Sequence, residues 1–156
     1  MEIPTYVSTI ILGRGCNEVL LIRKNRPVFL AGQATAVGGH HEHGETVAEA
    51  AQREVREETA LDLPIEEFRH FATVRRPHGT CAFFYVVAAL WNRKDFVVSP
   101  LFKTTTDEEL EVHSVQDVLV NKSDHRYSLD LPWLLALALA HRAGEALADV
   151  VMDATR

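Results

Sequence analysis

The sequence is poor in cysteine and in positive charge. Its 156 residues include 2 cysteines, Cys16 and Cys81, without a CxxC pair, which disfavours a disulfide-stapled secreted protein and favours the reducing cytoplasm. Both thiols are interpreted as buried apolar side chains. The 16 Lys and Arg residues are outnumbered by 22 Asp and Glu, for a formal net charge of -6. A polymeric nucleic acid is therefore not expected as a partner, whereas a small anionic ligand held by a metal is compatible with this charge.

Long apolar runs are also missing. The N-terminal segment 1–13 has no basic region, and its brief β-branched run suits a strand better than a signal peptide. The most apolar stretch, LPWLLALALA at 131–140, falls short of the roughly 20 residues that a membrane span needs and is predicted to be a core helix. We therefore expect no membrane association. With 47% hydrophobic and 24% charged residues, residues 1–156 are predicted to form one domain, as a monomer or a homodimer.

Strand patterns lie on both sides of one central helix. Runs rich in Val, Ile and Leu, or in aromatic residues, are bounded by turn residues such as those of GRGCN and RRPHG. The predicted strands are 6–12, 18–23, 34–37, 67–75, 80–91 and 109–114. A short helix is predicted at 115–120, and the chain is predicted to close with a long helix from about Leu131. This order predicts an α+β fold, with helices on both sides of a mixed sheet.

The central helix carries acids on the face that should be buried. The sequence TVAE at 46–49 is a capping-box pattern, so the helix should begin at Val47. At about 100° per residue, Glu54 and Glu58 project into the apolar arc and Glu57 lies at its edge. Three carboxylates so close together near a helix C-terminus repel one another and lose solvation. A hard divalent cation, Mg2+ or Mn2+, would remove these penalties.

A solvated acidic face is the alternative interpretation of this helix. Arg53 would then form ordinary surface pairs with Glu49 and Glu57, each one helical turn away. If the acids bind a metal instead, Arg53 is expected to orient a carboxylate from behind.

A histidine cluster offers a different candidate metal site. It consists of His40, His41 and His43, with Glu42 between them. Three imidazoles in four residues could bind zinc or nickel, but structural zinc sites usually take their ligands from two separated segments.

Residues 39–61, GHHEHGETVAEAAQREVREETAL, resemble the Nudix box. That pattern reads Gly, five residues, Glu, seven residues, Arg-Glu, an aliphatic residue, any residue, Glu-Glu, any residue, Gly and an aliphatic residue. Eight of the nine defined positions match, and Ala60 stands where the pattern has its final glycine. The stretches LLIRKNRP, TTTDEELEVHSVQDVL and LPWLLALAL are similar to the flanking regions of MutT-like members.

The resemblance implies a Nudix-type α/β/α sandwich and a metal-dependent hydrolase. Members of the family hydrolyse a nucleoside diphosphate linked to another moiety, so a small nucleotide is the implied partner. The implied ligands of the catalytic ions, Mg2+ or Mn2+, are Glu54, Glu57, Glu58 and the carbonyl oxygen of Gly38. Metal-assisted displacement at phosphorus depends mainly on positioning and on charge stabilisation, which agrees with this ligand set.

The resemblance also implies supporting roles around these ligands. Glu45 would support the loop and a metal-bound water, Arg53 would hold the glutamates, and Gly38 and Gly39 would let the backbone approach the bound diphosphate. Many members use one further acid from a downstream loop. Here the candidates are Asp107, Glu108 and Glu109, and Glu108 is favoured.

The departure at Ala60 bears on stability more than on chemistry. A glycine at a helix C-terminus commonly takes the left-handed conformation, which costs alanine about 1 kcal/mol, unless the chain leaves the helix differently. A non-catalytic nucleotide-binding module of the same fold therefore stays an alternative.

For the substrate, the flanking resemblance favours (d)NTPs, including oxidised ones, cleaved to a monophosphate and pyrophosphate. ADP-ribose and nucleotide sugars are the alternatives. Pro77, sixteen residues beyond the box, occurs at a position where ADP-ribose-type members often have proline, although RRPHG is equally typical of a turn. The base could stack on an aromatic side chain, but aromatic residues in strands more often belong to the core. The candidates are Phe29, Phe84, Tyr85 and Trp91.

Overall fold

The fold is a mixed β-sheet with helices on both faces. The computed structural model describes residues 3–88, 108–121, 125–145 and 150–153. Its strands are β1 (Tyr6–Gly13), β2 (Glu18–Arg23), β3 (Ala34–Thr35), β4 (Val37–His40), β5 (Arg69–Arg76), β6 (Gly79–Ala88), β7 (Glu109–Ser114) and β8 (Val150–Asp153). The helices are α1 (Val47–Thr59), α2 (Val115–Val120) and α3 (Leu131–Arg142), and short 3-10 turns occupy Arg14–Cys16, Val28–Leu30 and Ile65–Glu67. None of these helices is long and apolar enough to cross a bilayer.

The strands are joined in the order β3-β2-β1-β6-β5-β8, while β4 also pairs with β1 and β7 with β2. The β1–β6 and β5–β8 pairs are parallel, and the other pairs are antiparallel. The predicted hairpin is confirmed by the antiparallel β1–β2 pair. Its turn needs glycine, because Gly15 has a φ of 79°.

Two strand predictions differ from the structure. The single strand expected at 34–37 is divided, because β3 pairs with β2 whereas β4 pairs with β1. The prediction that the chain closes with the long helix is wrong, since β8 follows α3 and pairs with β5. The predicted extension of β6 from 89 to 91 lies outside the described residues.

Alternation along the strands separates two apolar clusters, one on each face of the sheet. In β1, Ile10 and Leu12 pack on the side of α2 and α3, whereas Ile11 packs on the side of α1. Strand β6 is buried on both faces, as its continuous apolar run predicts. This arrangement confirms the predicted α+β sandwich. The cysteine prediction is confirmed for Cys81, which is buried and free, whereas Cys16 is free but half-buried.

Helix α1 begins where the capping box predicts. The Thr46 hydroxyl accepts a hydrogen bond from the Glu49 N–H at 3.2 Å, and the Glu49 carboxylate accepts one from the Thr46 N–H at 2.7 Å. At its other end, Ala60 has a φ of 60° and a ψ of 11°. The chain therefore keeps the left-handed helix end although it has alanine there, which is the strained alternative of the two that the sequence left open.

Candidate functional site

The acid-bearing face of α1 lies against β4. Glu58 is 7% exposed, and its carboxylate accepts a hydrogen bond from the Gly38 N–H at 3.1 Å. Burial raises the pKa of Glu58 to about 7, although the ammonium of Lys24 and the Gly38 N–H both act to lower it. A solvated acidic face therefore does not describe this helix.

The two glycines of β4 allow close contact with β1 on one side and with α1 on the other. A Cβ on Gly38 would lie 2.1 Å from the carbonyl oxygen of Val7 in β1. A Cβ on Gly39 would lie 2.5 Å from the carboxyl group of Glu54. The two glycines thus have packing roles that the sequence did not predict: Gly38 lets β4 pair with β1, and Gly39 leaves room for a carboxylate of the helix.

Arg53 binds the loop before α1 to the acids of the helix. Its guanidinium donates to both carboxylate oxygens of Glu45, at 3.1 and 2.7 Å, and to Glu54 Oε1 at 2.7 Å. It also donates to the carbonyl oxygen of His40 at 2.9 Å and reaches Glu57 Oε2 at 3.4 Å. The hydrogen bonds from Arg53 lower the pKa of Glu45 to about 2. Arg53 therefore positions one carboxylate of the loop and one of the helix at the same time.

A second cation lies at the other end of the acidic face. The ammonium of Lys24 donates to Glu108 Oε2 at 2.8 Å and is 3.7 Å from Glu58 Oε1. Glu108 Oε1 accepts a hydrogen bond from the Asn25 N–H at 3.0 Å. Burial raises the pKa of Glu108, but the hydrogen bonds from Lys24 and Asn25 outweigh that effect and leave it below its ordinary value. Of the candidate loop acids, Glu108 thus lies beside Glu58.

The other two loop acids are placed differently. Glu109 is exposed, and Asp107 lies outside the described residues. The sequence patterns did not predict Lys24 as a residue of this site. The signal was the two-residue period of β2, because Leu20 and Ile22 pack on the α1 side and Lys24 follows them at the same spacing.

Two of the three clustered histidines have contacts of a structural kind: His41 with backbone carbonyl groups and His40 with the ring of Tyr6. The ring nitrogens of His41 lie 3.0 Å from the carbonyl oxygen of Pro4 and 2.8 Å from that of Glu45. The ring of His40 packs against Tyr6, with centroids 4.7 Å apart. His43 is exposed. His41 therefore fastens the loop that carries Glu45 to the segment before β1.

The oxygen atoms of this region are of the kind that a hard divalent cation prefers. Glu54 and Glu108 both act to raise the pKa of Glu58, and the ammonium of Lys24 lies within 4 Å of the carboxylates of Glu58 and Glu108. Within the described parts of the chain, however, no group of three or more His, Cys, Asp or Glu side chains is arranged as a metal site. Glu54 contacts Arg53, and Glu58 and Glu108 both contact Lys24. The donor chemistry fits Mg2+ or Mn2+, while the protein's own cations hold these carboxylates.

The residues considered for the base are not equivalent. Phe84 and Tyr85 are buried in the core, and Trp91 lies outside the described residues. Phe29 is 76% exposed, in the turn that follows Lys24 and Asn25. Pro77 is exposed in the turn between β5 and β6.

Comparison with known proteins gives the same fold. The model of the NUDIX domain matches residues 4–133. Among solved structures, the chain is similar to a NUDIX hydrolase from Nitrosomonas europaea, with 20% identity, a TM-score of 0.62, and coverage of 100% of this chain and 81% of that chain. It is also similar to the NUDIX domain of Shewanella oneidensis NrtR in complex with ADP ribose, with 15% identity, a TM-score of 0.67, and coverage of 91% and 90%. A mutT/nudix family protein from Listeria innocua has 19% identity, a TM-score of 0.65, and coverage of 91% and 95%.

The sequence identities to these structures are low, so the structural likenesses establish the fold alone. No curated protein sequence matches the chain. The family is established by the domain match, which covers most of the chain and includes helix α1, strand β4 and the Arg53 contacts. The chain therefore belongs to the Nudix family.

Proposed function

We propose that this chain is a divalent-metal-dependent pyrophosphohydrolase that cleaves a nucleoside diphosphate linked to another moiety. The first candidate substrate is a (d)NTP, hydrolysed to a monophosphate and pyrophosphate. The observation that carries the proposal is the set of carboxylates beside the two glycines of β4. Glu54 and Glu58 come from one helix face and Glu108 directly precedes the distant strand β7, and such a concentration of charge needs cations. The two free thiols are consistent with a cytoplasmic setting.

In this proposal the metal ligands are Glu54, Glu57, Glu58 and the carbonyl oxygen of Gly38. Bound Mg2+ or Mn2+ would neutralise the diphosphate and favour attack of water on phosphorus. Glu58 has little freedom to move, because it is buried and because its carboxylate accepts a hydrogen bond from the Gly38 N–H. Glu57 is half-exposed, with 51% of its side chain accessible, so it can reach a water or a substrate oxygen.

Supporting residues act through the ligands. Two hydrogen bonds join Arg53 to Glu45, and a third from Arg53 to Glu54 fixes the position of the Glu54 carboxylate relative to that pair. Pairing of this kind is directional, since the guanidinium fork fits a carboxylate in one plane. Glu108 serves as the downstream acid of the site, beside Glu58.

The nucleoside is proposed to lie near the turn that carries Phe29. This ring is exposed and close in sequence to Lys24 and Asn25, which contact Glu108. Stacking on one aromatic ring contributes about 1–3 kcal/mol per base. Truncation of Phe29 is therefore expected to raise KM more than it lowers kcat.

Two other functions are kept as alternatives. The NUDIX domain of NrtR was solved with ADP ribose, which supports ADP-ribose or a nucleotide sugar as the substrate class. A non-catalytic nucleotide-binding module is the second alternative, because alanine replaces the final glycine of the box pattern at residue 60, directly after the ligand-bearing turn.

A nucleotide panel with Mg2+ or Mn2+ tests the proposal. Monophosphate and phosphate release should be measured for (d)NTPs, oxidised (d)NTPs, ADP-ribose and nucleotide sugars. Glu57→Gln and Glu54→Gln are expected to abolish turnover, whereas Glu66→Gln is the matched control because Glu66 is an exposed acid outside the site. Metal-independent turnover, or turnover unaffected by the first two variants, would contradict the proposal. Calorimetric binding of a nucleotide without any product would favour the binding module.

A further inference from the structure

Lys24 places a positive charge beside Glu58, the buried acid of the site. It follows the last residue of β2, and only 18% of its side chain is accessible. Its ammonium is 2.8 Å from Glu108 and 3.7 Å from Glu58. The side chains of these two acids are 7% and 9% accessible. One ammonium therefore faces two carboxylates that are largely removed from water.

A cation stabilises these two carboxylates when both are ionised. Two like charges in a poorly solvated site repel each other, and an unpaired buried charge is strongly unfavourable. The Glu54 carboxylate adds to the negative potential at Glu58. Lys24 supplies the positive charge that stabilises these carboxylates. A divalent ion bound at the same place would supply it instead.

Lys24 and Arg53 differ in how firmly they are held. Arg53 donates to Glu45, Glu54 and the His40 carbonyl in a planar fork, so it can leave only if several hydrogen bonds break. Lys24 has one short hydrogen bond to a carboxylate and one longer ion pair. Its compact charge sits on a flexible four-carbon chain, which can withdraw without moving the backbone.

We propose that Lys24 is an exchangeable counter-ion of the metal site. It holds Glu58 and Glu108 together when no metal is bound, and a divalent ion that binds these carboxylates displaces its ammonium from them. This inference rests on the proposed metal-dependent function. It goes beyond that function because it makes Lys24 a competitor of the metal and a positioning residue of the metal-free protein.

Metal affinity and metal-free stability test the exchange without any measurement of turnover. The probe is Mn2+ alone, titrated calorimetrically into wild type and Lys24→Met, with thermal unfolding of both proteins in chelator. Lys24→Met is expected to bind Mn2+ about 10-fold more tightly, because no ammonium has to be displaced. It is also expected to melt at a lower temperature when metal-free, because Glu58 and Glu108 lose their shared cation.

Arg56→Gln is the matched control. It removes one positive charge from the exposed face of α1, two residues from Glu58, and is expected to leave both measurements near the wild-type values. A repeat at 1 M KCl separates contact from long-range attraction, since the Debye length then falls to about 3 Å. The tighter binding by Lys24→Met is expected to persist there.

Unchanged or weaker Mn2+ binding by Lys24→Met would overturn the exchange, as would an equal gain in Arg56→Gln. If Lys24→Met does not fold, Lys24→Gln gives the same comparison, because glutamine can still donate to Glu108 without a charge. A wild-type protein that binds no Mn2+ would overturn the proposed metal site as well. Metal-dependent turnover in wild type together with unaltered affinity in Lys24→Met would overturn the exchange alone.

Discussion

Gly39 lies against the carboxyl group of Glu54, so closely that a Cβ on residue 39 would be 2.5 Å from its carboxyl carbon and from both of its oxygens. The absence of a side chain at Gly39 thus leaves the space that the carboxylate of Glu54, a proposed metal ligand, occupies. The adjacent glycine meets a different obstacle, since a Cβ on Gly38 would lie 2.1 Å from the carbonyl oxygen of Val7. A side chain can turn aside, whereas the backbone of a paired strand cannot.

The first prediction is that Gly39→Ala and Gly38→Ala fail in different ways. Gly39→Ala is expected to fold but to lose about 10²-fold in kcat/KM, because displacement of a catalytic group by about 1 Å can cost that much. Gly38→Ala is expected to lose roughly 1–3 kcal/mol of unfolding free energy through overpacking between β4 and β1. Urea unfolding and steady-state kinetics on both variants provide the check. Equal loss of stability in the two variants would refute the distinction.

The second prediction concerns the strained end of α1. Ala60 has a φ of 60°, where alanine is less favourable than glycine by roughly 1 kcal/mol. Ala60→Gly is therefore expected to raise the melting temperature by about 2–4 °C per kcal/mol gained. Ala51→Gly, in the interior of α1, should lower it, because glycine costs about 1 kcal/mol in a helix interior. Two changes of the same sign would contradict this account.

The third prediction is a pH-dependent coupling between Glu45 and Arg53. The folded pKa of Glu45, about 2, is below its ordinary value of 4.5, so the pair stabilises the fold above pH 4.5 and loses that contribution as the pH falls towards 2. A double-mutant cycle with Glu45→Gln and Arg53→Met should give a coupling of roughly 1–2 kcal/mol at pH 6. The same cycle at pH 3 should give a smaller value. A coupling that is constant or larger at pH 3 would exclude the ionised pair as its source.

The fourth prediction links metal binding to stability. At Mn2+ concentrations about 100 times the dissociation constant, the folded state should gain about 2.7 kcal/mol. Removal of the metal with a chelator should reverse the gain. Glu58→Gln should lose most of this stabilisation, because a neutral amide is a poor ligand for a hard cation. Glu66→Gln, with its exposed side chain outside the site, should retain it, and thermal unfolding of all three proteins with and without Mn2+ gives the comparison.

Local sequence patterns predicted correctly those features that depend on contacts between residues close in the sequence. The capping box places the start of α1 at Val47 because Thr46 and Glu49 bond to each other's backbone within one turn. Helical periodicity likewise puts Glu54 and Glu58 on the packed face. These contacts need no knowledge of the rest of the chain.

Contacts between residues far apart in the sequence could not be predicted from it. Lys24 meets Glu108 across 84 positions of the chain, and a two-residue period indicates its face without indicating its partner. The strand β8 has four residues, too few for a periodic signal, and its pairing depends on the edge that β5 offers. The packing roles of Gly38 and Gly39 depend on β1 and α1 together, so they follow from the tertiary structure.

The position of His41 has a practical consequence for work on this protein. The ring of His41 lies between the carbonyl oxygens of Pro4 and Glu45, and the backbone N–H of His41 donates to the carbonyl oxygen of Thr5. The residues just before β1 therefore take part in supporting the loop that carries Glu45. A substitution in the segment before β1 is therefore expected to act on that loop at a distance from it, so kinetic comparisons between variants require the same sequence there.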